Sequence, residues 1–160
     1  MQCANTGRQA RRQLNVNVSQ EKEMNHEYSK IEEAYEFVSA GELFSHNALV
    51  DIRTGEVLFQ SDSEELDEFP ENIDRDRYIA IPTRAELHLG KPVVISFVET
   101  YMPNDIVEVH RIFVHKGAYS NFKNLLDLNN MLDQWYEYER TETERALREW
   151  CQGMGISLLG

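Results

Sequence analysis

The stretch Ala48-Leu49-Val50-Asp51-Ile52-Arg53-Thr54-Gly55-Glu56-Val57-Leu58-Phe59 decides the fold class of this chain. Ala48, Val50 and Ile52 alternate with Leu49, Asp51 and Arg53, the period of a half-buried strand. Val57, Leu58 and Phe59 form a returning run. Arg53-Thr54-Gly55-Glu56 lies between, and Gly55 supplies the positive φ of a tight turn. The reading is a β-hairpin spanning 43–59, so the fold holds a sheet.

Upstream, Ser29 followed by Glu32 has capping-box spacing. Ile31, Ala34, Tyr35 and Val38 then recur at helical intervals, and Gly41 stands where a helix should stop. Residues 1–28 are polar and aperiodic and are read as a flexible or variable tail, leaving 29–160 as a single domain. Leu14, Val16 and Val18 alternate with polar residues and would suit a short added strand.

Downstream, positions 62–76 hold eight carboxylates (Asp62, Glu64, Glu65, Asp67, Glu68, Glu71, Asp74 and Asp76) against Arg75 alone, a net −7. Pro70 argues against one continuous helix there. Leu66, Phe69 and Ile73 would pin this loop to the domain. Tyr78, Ile79 and Ile81 read as a third short strand, and Thr83 as the cap of a short turn. The run at 93–98 is β-branched, yet Val94, Phe97, Val98 and Tyr101 keep helical spacing behind Pro92, so a helix ending near Pro103 is expected. Asn104 would cap the next helix, with Ile106, Val109 and Phe113 inside and Gly117 at its end. From Ala118 onward the pattern is helical. Tyr119, Phe122, Leu125 and Leu126 share a face, Asn129-Asn130 marks a break, and a longer helix carries Trp135, Leu147, Trp150 and Cys151 inward to a stop at Gly153. Arg140/Glu144, Glu144/Arg148 and Arg145/Glu149 are spaced for surface ion pairs. The expected architecture is α+β: a small antiparallel sheet built on the hairpin, packed with a mainly helical C-terminal half.

Four blocks of the chain resemble a bacterial uncharacterised protein family, the one numbered 0158. They are Arg53-Thr54-Gly55-Glu56-Val57; the run Asn72-Ile73-Asp74-Arg75-Asp76-Arg77-Tyr78-Ile79-Ala80-Ile81-Pro82; Lys116-Gly117-Ala118-Tyr119-Ser120-Asn121-Phe122-Lys123; and Trp135-Tyr136-Glu137-Tyr138, continuing to Arg148-Glu149-Trp150-Cys151 and Gly155-Ile156. The resemblance covers most of 29–156 and implies a compact α+β bacterial protein. That family has no assigned activity, so it supplies no catalytic residues. This chain departs from it at Ser120 and Asn121, where basic residues are usual, and at Glu139, where Arg is usual, with Arg140 adjacent. Both departures argue against a phosphate-binding patch.

The chemistry-bearing residues form no recognised constellation. The five histidines include no HExxH pair, and His110 and His115 are five apart, a spacing that splits them to different helix faces. Glu23 and His26 have the spacing of half a di-iron site, once only. Asn72, Asp74 and Asp76 alternate as calcium ligands would, but Arg77 and Thr83 stand where that loop needs Gly and Glu. No phosphate-cradling glycine loop, dinucleotide fingerprint or serine elbow occurs. No catalytic, metal or cofactor residue is assigned, and no cofactor is expected. Cys3 and Cys151 make no disulfide framework, and Cys151 reads as a buried small hydrophobe, which suits a reducing, cytoplasmic setting. No run of about 18 apolar residues suggests a membrane span.

A formal net charge of −12 repels nucleic acid and favours basic protein partners. The leading expectation is therefore a non-enzymatic acidic module that interacts with or regulates another protein. Its candidate contacts are Glu64, Glu65, Asp67 and Glu68 in the acidic stretch, together with Lys116, Tyr136, Tyr138 and Arg140. One of the two tyrosines should lie off the buried helix face beside Arg140. The alternatives are nucleic-acid association through Arg8, Arg11 and Arg12 or through Lys116 and Lys123 near Tyr119, and an enzyme whose site forms only in the fold.

Overall fold

The turn Arg53–Gly55 is organised by the residue before it. Asp51 Oδ1 accepts hydrogen bonds from the backbone N–H groups of Arg53 (2.8 Å) and Thr54 (3.4 Å). Gly55 has φ +75°, as the hairpin reading required. A computed structural model describes residues 26–41, 45–62 and 69–159. Within them the hairpin strands are β2 (His46–Asp51) and β3 (Val57–Ser61), in antiparallel register with Val50 opposite Val57 and Ala48 opposite Phe59. The third expected strand is β4 (Tyr78–Ala80), antiparallel to the other side of β2, so the sheet order is β3-β2-β4.

One face of this sheet packs on α1 (Tyr28–Ala40). Ala48 and Val50 point to that face and are buried with Ile31, Ala34, Tyr35 and Val38 of the helix. The remaining helices are α2 (Lys91–Tyr101), α3 (Ile106–Ile112), α4 (Ala118–Leu128) and α5 (Leu132–Gly153). Their shared core is aromatic at its centre. Trp135 meets Phe97 and Phe122 edge-to-face at centroid distances of 5.3 and 5.1 Å, and each of the three is at most 1% exposed. The fold is mixed α+β, as expected from the hairpin and the helical periodicity. The ambiguous run at 93–98 is helical: Val94, Phe97 and Val98 are fully buried on one side of α2, which a period of 3.6 allows and a strand would split between two faces.

Several boundaries differ from the expectation, each for a tertiary reason. The expected tail ended at residue 28, but His26–Glu27 form β1 and pair in parallel with β5 (Leu158–Leu159). Residues 1–25, with the alternation at Leu14–Val18, lie outside the described residues. This pairing starts α1 at Tyr28, so Ser29 is already helical; the residue before the helix is Glu27, and no side-chain cap bond forms there. Gly41 follows α1 with φ −81°, so its reason is room rather than handedness: a Cβ there would lie 1.8 Å from His46 Nδ1. Thr83 does form a reciprocal cap. Its N–H and hydroxyl donate to Glu86 Oε2 at 2.7 and 2.8 Å, and the Glu86 N–H donates back to Thr83 Oγ1 at 3.3 Å. Asn104 is not a helix cap: Pro103–Asp105 is a single 3₁₀ turn before α3, and Asp105 precedes that helix without a side-chain cap bond. Gly117 has φ +73° and opens α4 rather than closing α3. Gly153 is the last residue of α5, and the left-handed turn falls at Gly155.

Candidate functional site

Helix α1 turns Glu32, Tyr35, Glu36 and Ser39 to one side, an i, i+3, i+4, i+7 set. Helix α5 opposes it with Tyr136, Glu139, Arg140 and Thr143, at the same spacing. Between them lies an open cleft of about 390 Å³, closed at one end by Arg84 from the turn after β4.

The cleft floor is an ion pair. Arg84 Nη2 donates to Glu139 Oε1 at 2.5 Å, and Arg84 Nε donates to the carbonyl of Leu89 at 3.2 Å. The guanidinium sits 5.4 Å from the ring centroid of Tyr119. Burial opposes the Arg84 charge, but the hydrogen bond and attraction from Glu139 outweigh it and raise the Arg84 pKa. Tyr35, only 7% exposed, has its hydroxyl pushed above the ordinary tyrosine value by burial, with a hydrogen bond to Ser39 acting the other way. Tyr119 behind Arg84 is raised for the same first reason.

At the rim, Arg140 is held by two carboxylates of its own helix: Nη2 donates to Glu137 Oε1 at 2.6 Å, and Nη1 lies 3.9 Å from Glu144 Oε2. Both cleft cations are therefore matched by α5 carboxylates. Of the α1 carboxylates, Glu32 lies near enough to favour the Arg140 charge, but neither Glu32 nor Glu36 makes an ion pair among the described residues. Glu32 accepts a 3.3 Å bond from the Tyr28 hydroxyl, and Glu36 is exposed with no ion-pair partner among the described residues. Like charges four residues apart on one helix face cost it a few tenths of a kcal/mol, about 0.2–0.5.

The cleft brings together two of the expected contact residues. Tyr136 is 47% exposed and stands beside Arg140 on the cleft wall. Tyr138, two positions on, points to the far side of α5 and packs on Phe97 and Tyr101 at 5.3 and 6.0 Å; it is a core-edge residue rather than a surface contact. A two-residue step turns a helix by about 200°, which separates the pair. Lys116 is exposed in the turn between α3 and α4, away from the cleft lining. Glu64, Glu65, Asp67 and Glu68 lie outside the described residues. The basic group imagined around Tyr119 is divided: Lys123 lies over the Tyr136 ring at 5.4 Å, while Tyr119 carries Arg84. Among the described residues, no three His, Cys, Asp or Glu side chains come together as a metal site.

The residues that sequence reading missed are Glu32, Tyr35, Glu36, Arg84 and Glu139. The Glu32/Glu36 spacing was visible on α1; nothing in sequence joins Arg84 to Glu139, 55 positions away. The Glu139 carboxylate holds the cleft floor. Compared with protein-family profiles, with curated proteins and with solved structures, the chain matches none. Among the described residues, no helix is long and apolar enough to cross a membrane.

Proposed function

We propose that this chain works by binding another protein of basic character through the α1–α5 cleft, as an interaction or regulatory module rather than by catalysing a reaction. The observation that carries the reading is the charge balance of the cleft: its arginines are ion-paired with α5 carboxylates, while Glu32 and Glu36 on the α1 wall form no ion pair among the described residues. A partner's lysine or arginine would meet both, flanked by the exposed ring of Tyr136. The net charge of −12 steers such a partner toward the surface and speeds encounter at low salt.

The proton chemistry of the cleft supports the same reading. The shifted groups of the cleft, Tyr35, Arg84 and Arg140, and Tyr119 behind Arg84 are all raised away from neutral pH, the opposite of a general acid or base tuned for work near pH 7. The proposal includes the compartment and the kinship: a reducing cytoplasm, consistent with the buried free thiol of Cys151, and membership of the bacterial family the sequence resembles.

The test is photo-crosslinking from a benzophenone amino acid placed at Tyr136, with mass spectrometry of the products and a control placed at the exposed Glu99 of α2. A partner captured from the cleft position alone is then purified. Its affinity for the wild type and for a Glu32→Gln/Glu36→Gln variant is measured at low and moderate salt. A loss of about tenfold in the variant, shrinking as salt rises, is expected. Equal affinity at low salt, or no protein captured specifically from Tyr136, overturns the reading.

A further inference from the structure

His26 is buried, at 4% exposure, where the first strand, the last strand and the hairpin turn meet. Its backbone belongs to β1, and its N–H donates to the Ser157 carbonyl at 2.7 Å, just before β5. Its ring reaches across to the hairpin. Nδ1 lies 3.3 Å from the Ser157 carbonyl oxygen, and Nε2 lies 3.3 Å from the Asp51 carbonyl oxygen. Gly55 makes the room for it: a Cβ there would stand 3.0 Å from His26 Cδ2. One side chain thus joins positions 131 and 25 residues away in sequence.

Both ring nitrogens face acceptors. A carbonyl oxygen cannot donate, and a neutral imidazole carries a single N–H. Whichever nitrogen of the neutral ring holds the proton, the other turns a lone pair toward a carbonyl oxygen. The imidazolium donates to both. The charged groups on the surrounding elements are largely paired among themselves. On its own strand Glu27 pairs with Lys30, in the hairpin turn Asp51 pairs with Arg77, and on α5 Arg148 pairs with Glu144. Arg53 and Glu56 of the turn are exposed, and burial raises the Tyr28 hydroxyl and keeps it neutral. The two carbonyls are thus the partners the ring has at hand.

We propose that His26 is a proton-operated clasp: its charged ring holds the β1–β5 pair to the hairpin turn, and loss of one proton on rising pH releases one of the two carbonyls. Imidazole is the side chain that ordinarily changes charge in the range of about pH 5 to 8. A proton that the folded form binds more tightly than the unfolded form stabilises the fold. The clasp is therefore closed at the acid end of that range and opens as pH rises. Asp51, held far below the ordinary aspartate value by the hydrogen bonds from Arg77, stays charged throughout it. Because α1 begins at Tyr28, the clasp also fixes where that helix enters the fold. The inference uses none of the cleft's residues, so it stands or falls without the reading of the cleft.

The test uses the full chain, labelled with nitrogen-15. In long-range proton–nitrogen spectra the His26 ring is expected to show two protonated nitrogens at about pH 5.5 and one at about pH 8. Hydrogen exchange of the residue-26 amide, corrected for its intrinsic rate, is read at the same two points. Its protection is expected to fall about tenfold from the acid to the alkaline point, the worth of a hydrogen bond from a charged donor. In His26→Gln the side-chain amide donates to one carbonyl at every pH, so protection is expected to be lower and equal at both points. The variant keeps the other four histidines, so a pH effect that they cause appears in both proteins. A bare ring nitrogen at the acid point, a ring still doubly protonated at the alkaline point, or an equal pH response in His26→Gln overturns the proposal. The ring spectra come from the wild type alone, so they decide the matter should the variant fail to fold.

Discussion

Arg77 holds Asp51 across 26 positions of sequence. Its Nε and Nη2 donate to Asp51 Oδ2 at 2.9 and 2.5 Å, and the Asp51 side chain is fully buried while that of Arg77 is about one-third exposed. The other carboxylate oxygen of Asp51 organises the hairpin turn. One acidic side chain thus ties the turn, β2 and the approach to β4 together.

Removing Arg77 should therefore do more harm than removing the pair. Arg77→Gln leaves a buried carboxylate short of its main partner, whereas Asp51→Asn/Arg77→Gln leaves no stranded charge. Asp51→Asn alone should cost about 2 kcal/mol, the worth of hydrogen bonds to a charged group. Urea unfolding of the three variants checks this. The expected sign is a double variant more stable than Arg77→Gln; additive losses would show that the pair is not coupled.

The same carboxylate sets the acid limb of stability. Hydrogen bonds from Arg77 hold Asp51 far below the ordinary aspartate value, against the opposing effect of burial. A group whose folded pKa is depressed contributes stability above its unfolded pKa, about 3.9 for Asp, and loses it as pH falls toward the folded value. Unfolding midpoints measured from pH 6 down to pH 2 should fall steeply in the wild type below about pH 4. Asp51→Asn should start lower and show a shallower acid limb.

Gly41 is constrained by His46. The imidazole packs edge-on against Phe37 at a centroid distance of 4.7 Å and lies 2.9 Å from the Ser45 hydroxyl, so it is not free to swing away from a new methyl group. Gly41→Ala should destabilise by about 1–3 kcal/mol, the range for overpacking. Combined with His46→Ala, which also releases the Ser45 hydroxyl (2.7 Å from that Cβ) to rotate away, the same substitution should cost under about 1 kcal/mol, because its φ of −81° is open to any residue. Thermal melts of the four-member cycle decide it.

Cys151 is fully buried, and burial pushes its thiol up to about 11. At pH 8 this lowers the thiolate fraction about 100-fold relative to a thiol at 9.0, before access is counted. In a Cys3→Ser chain, labelling by a disulfide reagent should be slow in the native state and complete at once in denaturant. Rapid native labelling would show that this end of α5 opens without global unfolding.

Much of the fold was legible because its signals are local. The alternation at Ala48–Phe59 with Gly55, the helical spacing through α4 and α5, and the pairs Arg140/Glu144, Arg148/Glu144 and Arg145/Glu149 all depend on neighbours within a few residues, and all form. Capping shows where that logic ends. Ser29/Glu32 and Thr83/Glu86 carry the same spacing, yet only the second makes the box, because His26–Glu27 are drawn into pairing with Leu158–Leu159 and start α1 two residues early.

The sequence by itself determined the α+β class, the hairpin, most helix limits and the inward turn of Trp135. The tertiary structure alone decided the β1–β5 pairing, the Asp51–Arg77 link, the Arg84–Glu139 floor and which of Tyr136 and Tyr138 faces out. Periodicity says which side of a helix is apolar, but not which element will cover it. A cleft is made by two elements meeting, and neither Arg84 nor Glu139 carries any local mark of the other.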